Sequence, residues 1–177
     1  DPRSDKTQKN LNLKIKFRES FRPFAPSILR EHCNKYFKLN TESPYMLIVS
    51  EVKDEIRSKL TDQENLLFGI EKLNIKRSTI PAVTHVDYSA RVQTVEKNTN
   101  LIFYDLINKF YEKTGCPLVV NTSFNIRGEP IVCTVEDAYN CFMGTNLDLL
   151  VINNFVLKKE DQKNTSKNDY QDKYELD

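Results

Sequence analysis

Apolar and basic side chains alternate from Leu13 to Phe17, the period of a half-buried strand, which puts Lys14 and Lys16 on one face. Residues 1–12 ahead of it are polar and read as irregular. Pro23 and Pro26 forbid a regular helix, so Phe21, Phe24 and Ala25 are expected in an extended or turning segment with Arg22 at its entrance. Leu29, Cys33, Tyr36 and Phe37 recur at helical spacing within Ile28 to Phe37, and Ser27 stands before them as an N-cap. Such a helix start can bind an anion. Tyr45 to Val52 is a continuous apolar run that predicts an interior strand, and the charge-rich residues 53–79 predict a variable loop with one helix around Asp62 to Leu73.

Further on, Ile80 to Thr84 and Ala90 to Val95 predict two short strands around the turn His85-Val86-Asp87-Tyr88. Ile102, Leu106, Ile107 and Phe110 give an amphipathic helix over Leu101 to Thr114, ended by Gly115 and Pro117. Leu118 to Val120 predicts a buried strand that delivers Asn121-Thr122-Ser123 to its C-terminal end, where α/β sheets form their sites. Arg127-Gly128-Glu129-Pro130 makes a turn, and Thr134 with Asp137 forms a capping box for a helix over Glu136 to Met143. Leu147 to Ile152 and Phe155 to Leu157 close the core as strands. Residues 1–158 are thus expected to form one α/β domain, and residues 159–177 are too polar to support a core and read as a disordered tail.

Composition adds little field. Lys plus Arg number 26 against 25 for Asp plus Glu, a formal charge of +1 that argues against nucleic acid or a membrane as partner. Any anion site must be local. The apolar runs are too short to cross a bilayer and no leader opens the chain, so the expectation is a soluble, cytoplasmic protein. Cys33, Cys116, Cys133 and Cys141 are widely spaced, which predicts free thiols rather than a zinc or redox motif, and no metal site is expected here. The start at Asp1-Pro2-Arg3 reads as a piece of something longer.

Three constellations carry candidate chemistry. Lys16, Arg18 and Arg22 are interleaved with Phe17, Phe21 and Phe24, a pattern that suits a phosphate or acyl phosphate against a dry wall. It equally suits basic stems lying over an apolar edge with their heads in water. Arg91 lies in a strand whose alternation turns either Arg91 and Gln93 or Val92 and Thr94 inward. Asn121, Thr122, Ser123 and Asn125 crowd hydroxyls and amides at a strand end, where they serve an anion or simply the turn. Ser123 lacks a partner base and a GxSxG elbow, so it is not expected to be a nucleophile. His85 reads as a hydrogen-bonded turn histidine. With 4 glycines and neither a Walker nor a GxGxxG motif, side chains must hold any nucleotide phosphates.

The ordered segments KFRESFRPFAPSIL, SPYM, IPAVTHVDYSARVQTV, TGCPLVVNTSFNIRGEPIV and TVEDA closely resemble the C-terminal domain of the NodU/CmcH-type O-carbamoyltransferases, from about Asp1 to Leu157. That resemblance implies a YrdC-like twisted, mixed open sheet with flanking helices. It also implies a domain that binds ATP with Mg²⁺ and carbamoyl phosphate as co-substrate, and that forms carbamoyl adenylate. A Kae1-like N-terminal half, absent from this chain and working in cis or in trans, would hold iron or another metal and pass the carbamoyl group to a hydroxyl acceptor. Lys16 and Arg22 are implied to hold carbamoyl phosphate or the phosphates of ATP, and Arg91 and Ser123 to contact the adenylate. Arg18, Thr122 and Asn125 are carried by the same motifs as binding candidates.

Two departures stand out. Asp87-Tyr88-Ser89 replaces the family's Asp-Gly-Thr, which puts Tyr where the backbone calls for glycine, and Val135 replaces a proline before Glu136-Asp137-Ala138. Two other classes of function remain open beside the enzyme domain. One is a non-catalytic nucleotide-binding or scaffold module separated from its catalytic partner; the other is a threonylcarbamoyl-adenylate synthase-like enzyme.

Overall fold

The computed structural model describes residues 1–162 and 170–174. The chain divides into two compact units: Asp1–Gln8 with Pro23–Thr122, and Lys9–Arg22 with the described residues from Ser123 onward. Both mix helix and strand, as the α/β reading expects, and neither sheet closes into a barrel. The first helix, α1, is Asp5–Leu11, where the polar composition had suggested irregular chain.

The first unit is built on a four-stranded sheet ordered β2-β3-β1-β4, where β1 is Ala25–Leu29, β2 Ile48–Glu51, β3 Ser89–Val95 and β4 Leu118–Asn121. β1 and β3 are parallel and the other pairs antiparallel. Ser27 and Ile28 therefore lie in a strand, not at the cap and first turn of a helix. Only the single turn Cys33–Tyr36 (α2) is α-helical in the expected Ile28–Phe37 span, because Ile28 and Leu29 are fully buried between two partner strands. Pro26 fits because the β1–β3 register begins at Ser27, one residue later. The Tyr45–Val52 run shortens to an edge strand, and Ile80–Thr84 becomes a 3₁₀ turn at Pro81–Val83. The single helix expected around Asp62 to Leu73 splits into α3 (Asp62–Leu66) and α4 (Gly69–Leu73).

Helix α5, Leu101–Thr114, forms as its periodicity predicts. Asn100 caps its start by accepting from Phe103 N–H at 3.2 Å, and Gly115 ends it at φ 71°, a conformation costly for residues with a Cβ. Its Ile107 packs with Leu29 and Val95 under Phe103, Tyr104, Tyr111 and Val119. Burial of each such aliphatic side chain contributes roughly 1.5–3 kcal/mol.

In the second unit, α6 (Val135–Gly144) packs on the hairpin of β5 (Leu149–Ile152) and β6 (Phe155–Lys158). Ala138, Phe142 and Leu150 form the centre of that core. The Thr134–Asp137 capping box is present, with Asp137 N–H donating to Thr134 Oγ1 at 3.1 Å and Thr134 N–H to Asp137 Oδ2 at 3.0 Å. Asn153, at φ 51°, supplies the positive φ that the two-residue turn between β5 and β6 needs. Beyond residue 158, a 3₁₀ turn spans Lys159–Asp161 and another Tyr170–Lys173, while the rest of the expected tail, 163–169 and 175–177, lies outside the described residues.

Candidate functional site

Residues Asn12–Lys16 form a turn of π-helix, not the strand that the alternation suggested. Lys14 and Lys16 accordingly part: Lys14 is exposed, whereas Lys16 is only 4% exposed. The ammonium of Lys16 sits inside the elbow after β4, donating to Ser123 O at 2.6 Å, to Asn125 O and Asn125 Oδ1 at 2.7 Å each, and to Ser123 Oγ at 3.2 Å. An ammonium has three protons, so this elbow takes up its whole donor capacity. Ser123 Oγ donates onward to Asn125 Oδ1 at 2.6 Å, which commits the hydroxyl proton to an amide rather than a base. Asn125 Nδ2 donates to Glu129 O at 2.7 Å, and Glu129 Oε2 accepts from Ile126 N–H at 2.7 Å. Burial, followed by repulsion from Arg18, lowers the Lys16 pKa to about 8.

Phe17 leaves the π-helix at φ 49°, turning the chain into the Arg18–Arg22 loop. That loop is stapled by Asn12, which is fully buried. Its Oδ1 accepts from Arg18 Nε at 2.7 Å while its Nδ2 donates to Ser20 O at 3.1 Å and Arg22 O at 2.8 Å. Glu19 lies among guanidinium groups: Arg22 Nε at 2.8 Å and Arg127 Nη1 at 3.7 Å. Its own backbone N–H holds its carboxyl below the usual range, helped by Arg22, Arg127 and Arg18. Three guanidinium groups gather near the Glu19 carboxylate, a local clustering of cations that the net charge of the chain conceals.

Arg91 belongs to the first unit. Ala90, Val92 and Thr94 are the buried residues of β3, and Arg91 is exposed, so the inward reading of Arg91 gives way to the outward one. Thr122 is exposed just past β4. Gln93, on the Arg91 face of β3, accepts at Oε1 from Ser27 Oγ at 2.6 Å and from Asn121 Nδ2 at 2.7 Å, tying three strands together. The turn before β3 holds the departure seen in the sequence: Tyr88 adopts φ 62°, the left-handed region that glycine occupies freely. Val52 N–H donates to Tyr88 O at 2.8 Å, and the Arg57 guanidinium stacks 4.8 Å from the Tyr88 ring centre. His85 is a turn histidine, its Nδ1 3.2 Å from Ser89 Oγ, with burial lowering its pKa.

All four cysteines are free, and three of them are buried. Burial, with Glu129 beside it, pushes the Cys141 thiol up to about 12, so it is not a thiolate at neutral pH. Among the described residues, no three His, Cys, Asp or Glu side chains group to hold a metal ion. Nor is any described helix long and apolar enough to cross a membrane.

The second unit thus brings together Lys16, Ser123 and Asn125 in one hydrogen-bonded elbow, and Arg18 and Arg22 through Asn12. Sequence reasoning did not single out Asn12, Gln93 or Arg127. Asn12 and Gln93 carry no local signal of their partners, and Arg127 was visible only as part of a turn.

The family model described as carbamoyltransferase C-terminus matches residues 1–159. Protein sll1178 of Synechocystis is 57% identical over 178 residues, covering 100% of this chain and 29% of that protein. Nodulation protein NolNO of Sinorhizobium fredii is 40% identical, and nodulation protein NolO of Bradyrhizobium diazoefficiens 38%, each over 162 residues and 90% of this chain. The chain spans 21–29% of the length of these relatives. It belongs to the carbamoyltransferase C-terminal family, as a C-terminal domain of the NodU/NolO type.

Proposed function

We propose that this chain is the adenylate-forming part of a carbamoyltransferase, binding ATP and carbamoyl phosphate and producing carbamoyl adenylate. The observation that carries the reading is the gathering of Arg18, Arg22 and Arg127 around Glu19, on a loop stapled by buried Asn12. In the proposed reaction, water first releases phosphate from carbamoyl phosphate and leaves carbamate. A carbamate oxygen then attacks the α-phosphorus of ATP, forming the new O–P bond as the bond to the β-phosphate bridge breaks and pyrophosphate departs. No protein nucleophile is required. The chemistry asks for charge neutralisation and alignment, which arginines supply through paired N–H donors.

Arg18, Arg22 and Arg127 are assigned to the phosphates. Lys16 is assigned to the elbow, where its protons are engaged by Ser123 and Asn125. Mg²⁺ would bind through the phosphate oxygens and offset their charge. Transfer of the carbamoyl group to a hydroxyl acceptor is assigned to a Kae1-like partner half, in keeping with the 21–29% share that the chain makes of its relatives.

The test is release of pyrophosphate and formation of carbamoyl adenylate, followed by chromatography. Both are expected only when ATP and carbamoyl phosphate are present together, and both should fall at least tenfold in Arg22→Ala. ATP binding with no adenylate formed, even with the partner half supplied, would favour a non-catalytic nucleotide-binding module.

A further inference from the structure

Strands β5 and β6 of the second unit are apolar at every position but Lys158. A strand with one face in water alternates apolar and polar residues, whereas a continuous apolar run belongs to a sheet covered on both faces. The register sorts the side chains. Leu150 opposes Leu157 and Ile152 opposes Phe155 on one face, while Leu149 opposes Lys158 and Val151 opposes Val156 on the other. The first face is the one that α6 covers, with Leu150, Ile152 and Leu157 packed around Ala138 and Phe142. On the second, Leu149 is 53% exposed, Val151 61% and Val156 62%. The strand pattern thus calls for a cover on the outer face that the described residues do not supply.

What covers it follows from size and from length. Three aliphatic side chains fall far short of the roughly 800 Å² per partner that a free-standing interface buries, so this face alone does not hold a second copy. A segment of the same polypeptide has no such requirement, because tethering supplies an effective concentration on the order of mM. Protein sll1178 matches the whole of this chain with 29% of its own length, and the matching family model is that of a C-terminus. The larger part of such a protein therefore precedes the region that corresponds to Asp1. Lys158, at the rim of the face, has Nζ 3.7 Å from Glu160, so its charge is answered within the chain and the face asks for an apolar partner.

We propose that the outer face of the β5–β6 hairpin, formed by Leu149, Val151 and Val156, seats an apolar element of the N-terminal part of the protein, the part that precedes this region in the relatives. The proposal does not depend on the adenylation reading.

The test is hydroxyl-radical footprinting read by mass spectrometry, on this chain and on the same chain extended by the N-terminal part that the relatives carry. Oxidation of Leu149, Val151 and Val156 is expected to fall at least threefold in the extended protein. Val151→Lys and Val156→Lys, one on each strand, should leave the thermal midpoint of this chain within about 2 °C, since lysine is tolerated on the solvent face of an edge strand. In the extended protein each should return the remaining residues of the face toward the oxidation seen in this chain. Equal oxidation in the two proteins overturns the proposal, and so does protection that survives both variants. Oxidation that is already low in this chain and rises on dilution assigns the face to a second copy, which overturns it too. No nucleotide enters the measurement, so its failure leaves carbamoyl adenylation standing.

Discussion

The Lys16 ammonium donates at 2.7 Å to both the backbone carbonyl and the side-chain oxygen of Asn125, a residue 109 positions away. This contact makes Lys16 a pin of the elbow. Lys16→Met strips the donor from buried carbonyls and is expected to cost about 2–4 kcal/mol in urea unfolding. The pH dependence has a definite sign. The folded value of about 8 lies below the ordinary 10.5, so between them the unfolded chain binds more protons and the stability contributed by this group rises with pH. Wild type minus Lys16→Met should therefore gain stability from about pH 8 to 10.5; a flat or falling difference would contradict the placement.

Glu19 competes with any incoming anion for Arg22 and Arg127. Glu19→Gln is expected to tighten pyrophosphate binding severalfold by calorimetry, with affinity falling as salt is added, since screening weakens exposed charges. Binding that weakens in the variant would mean that Glu19 positions the arginines rather than opposing the ligand.

The turn before β3 tolerates a left-handed Tyr88 because Arg57 stacks on its ring and Val52 bonds its carbonyl. Tyr88→Gly loses that stacking but relieves the backbone, so its stability should stay within about 1 kcal/mol of wild type. Tyr88→Val, β-branched at positive φ, should lose about 2 kcal/mol. Equal thermal shifts for the two variants would show that backbone conformation is not what matters here.

Much of the fold was legible because its signals are local. Asn100 and Gly115 bound α5, Thr134 and Asp137 start α6, and β4, β5 and β6 follow short apolar runs. Asn12–Lys16 misled because Leu13 and Ile15 alternate with Lys14 and Lys16, while what fixes the turn is Asn12 reaching Ser20 and Arg22, and Lys16 reaching Ser123 and Asn125. β1 hid behind Pro26 and the cap-like Ser27, whose hydroxyl instead serves Gln93. Of the candidate site, the residue types were visible in the motifs. That Lys16 pins the elbow and that Arg127 joins Glu19 depends on partners more than a hundred residues apart.

The capping box of α6 offers a local control. Thr134→Ala removes the acceptor for Asp137 N–H and is expected to cost about 1 kcal/mol by thermal unfolding. A loss near zero would mean that the first turn of α6 frays without cost.

Exchange of labelled pyrophosphate into ATP tests the central claim most directly. The full chain should catalyse exchange that depends on carbamoyl phosphate and falls at least tenfold in Arg22→Ala. Exchange that is absent, or that proceeds equally without carbamoyl phosphate, would contradict the assignment of carbamoyl adenylate formation.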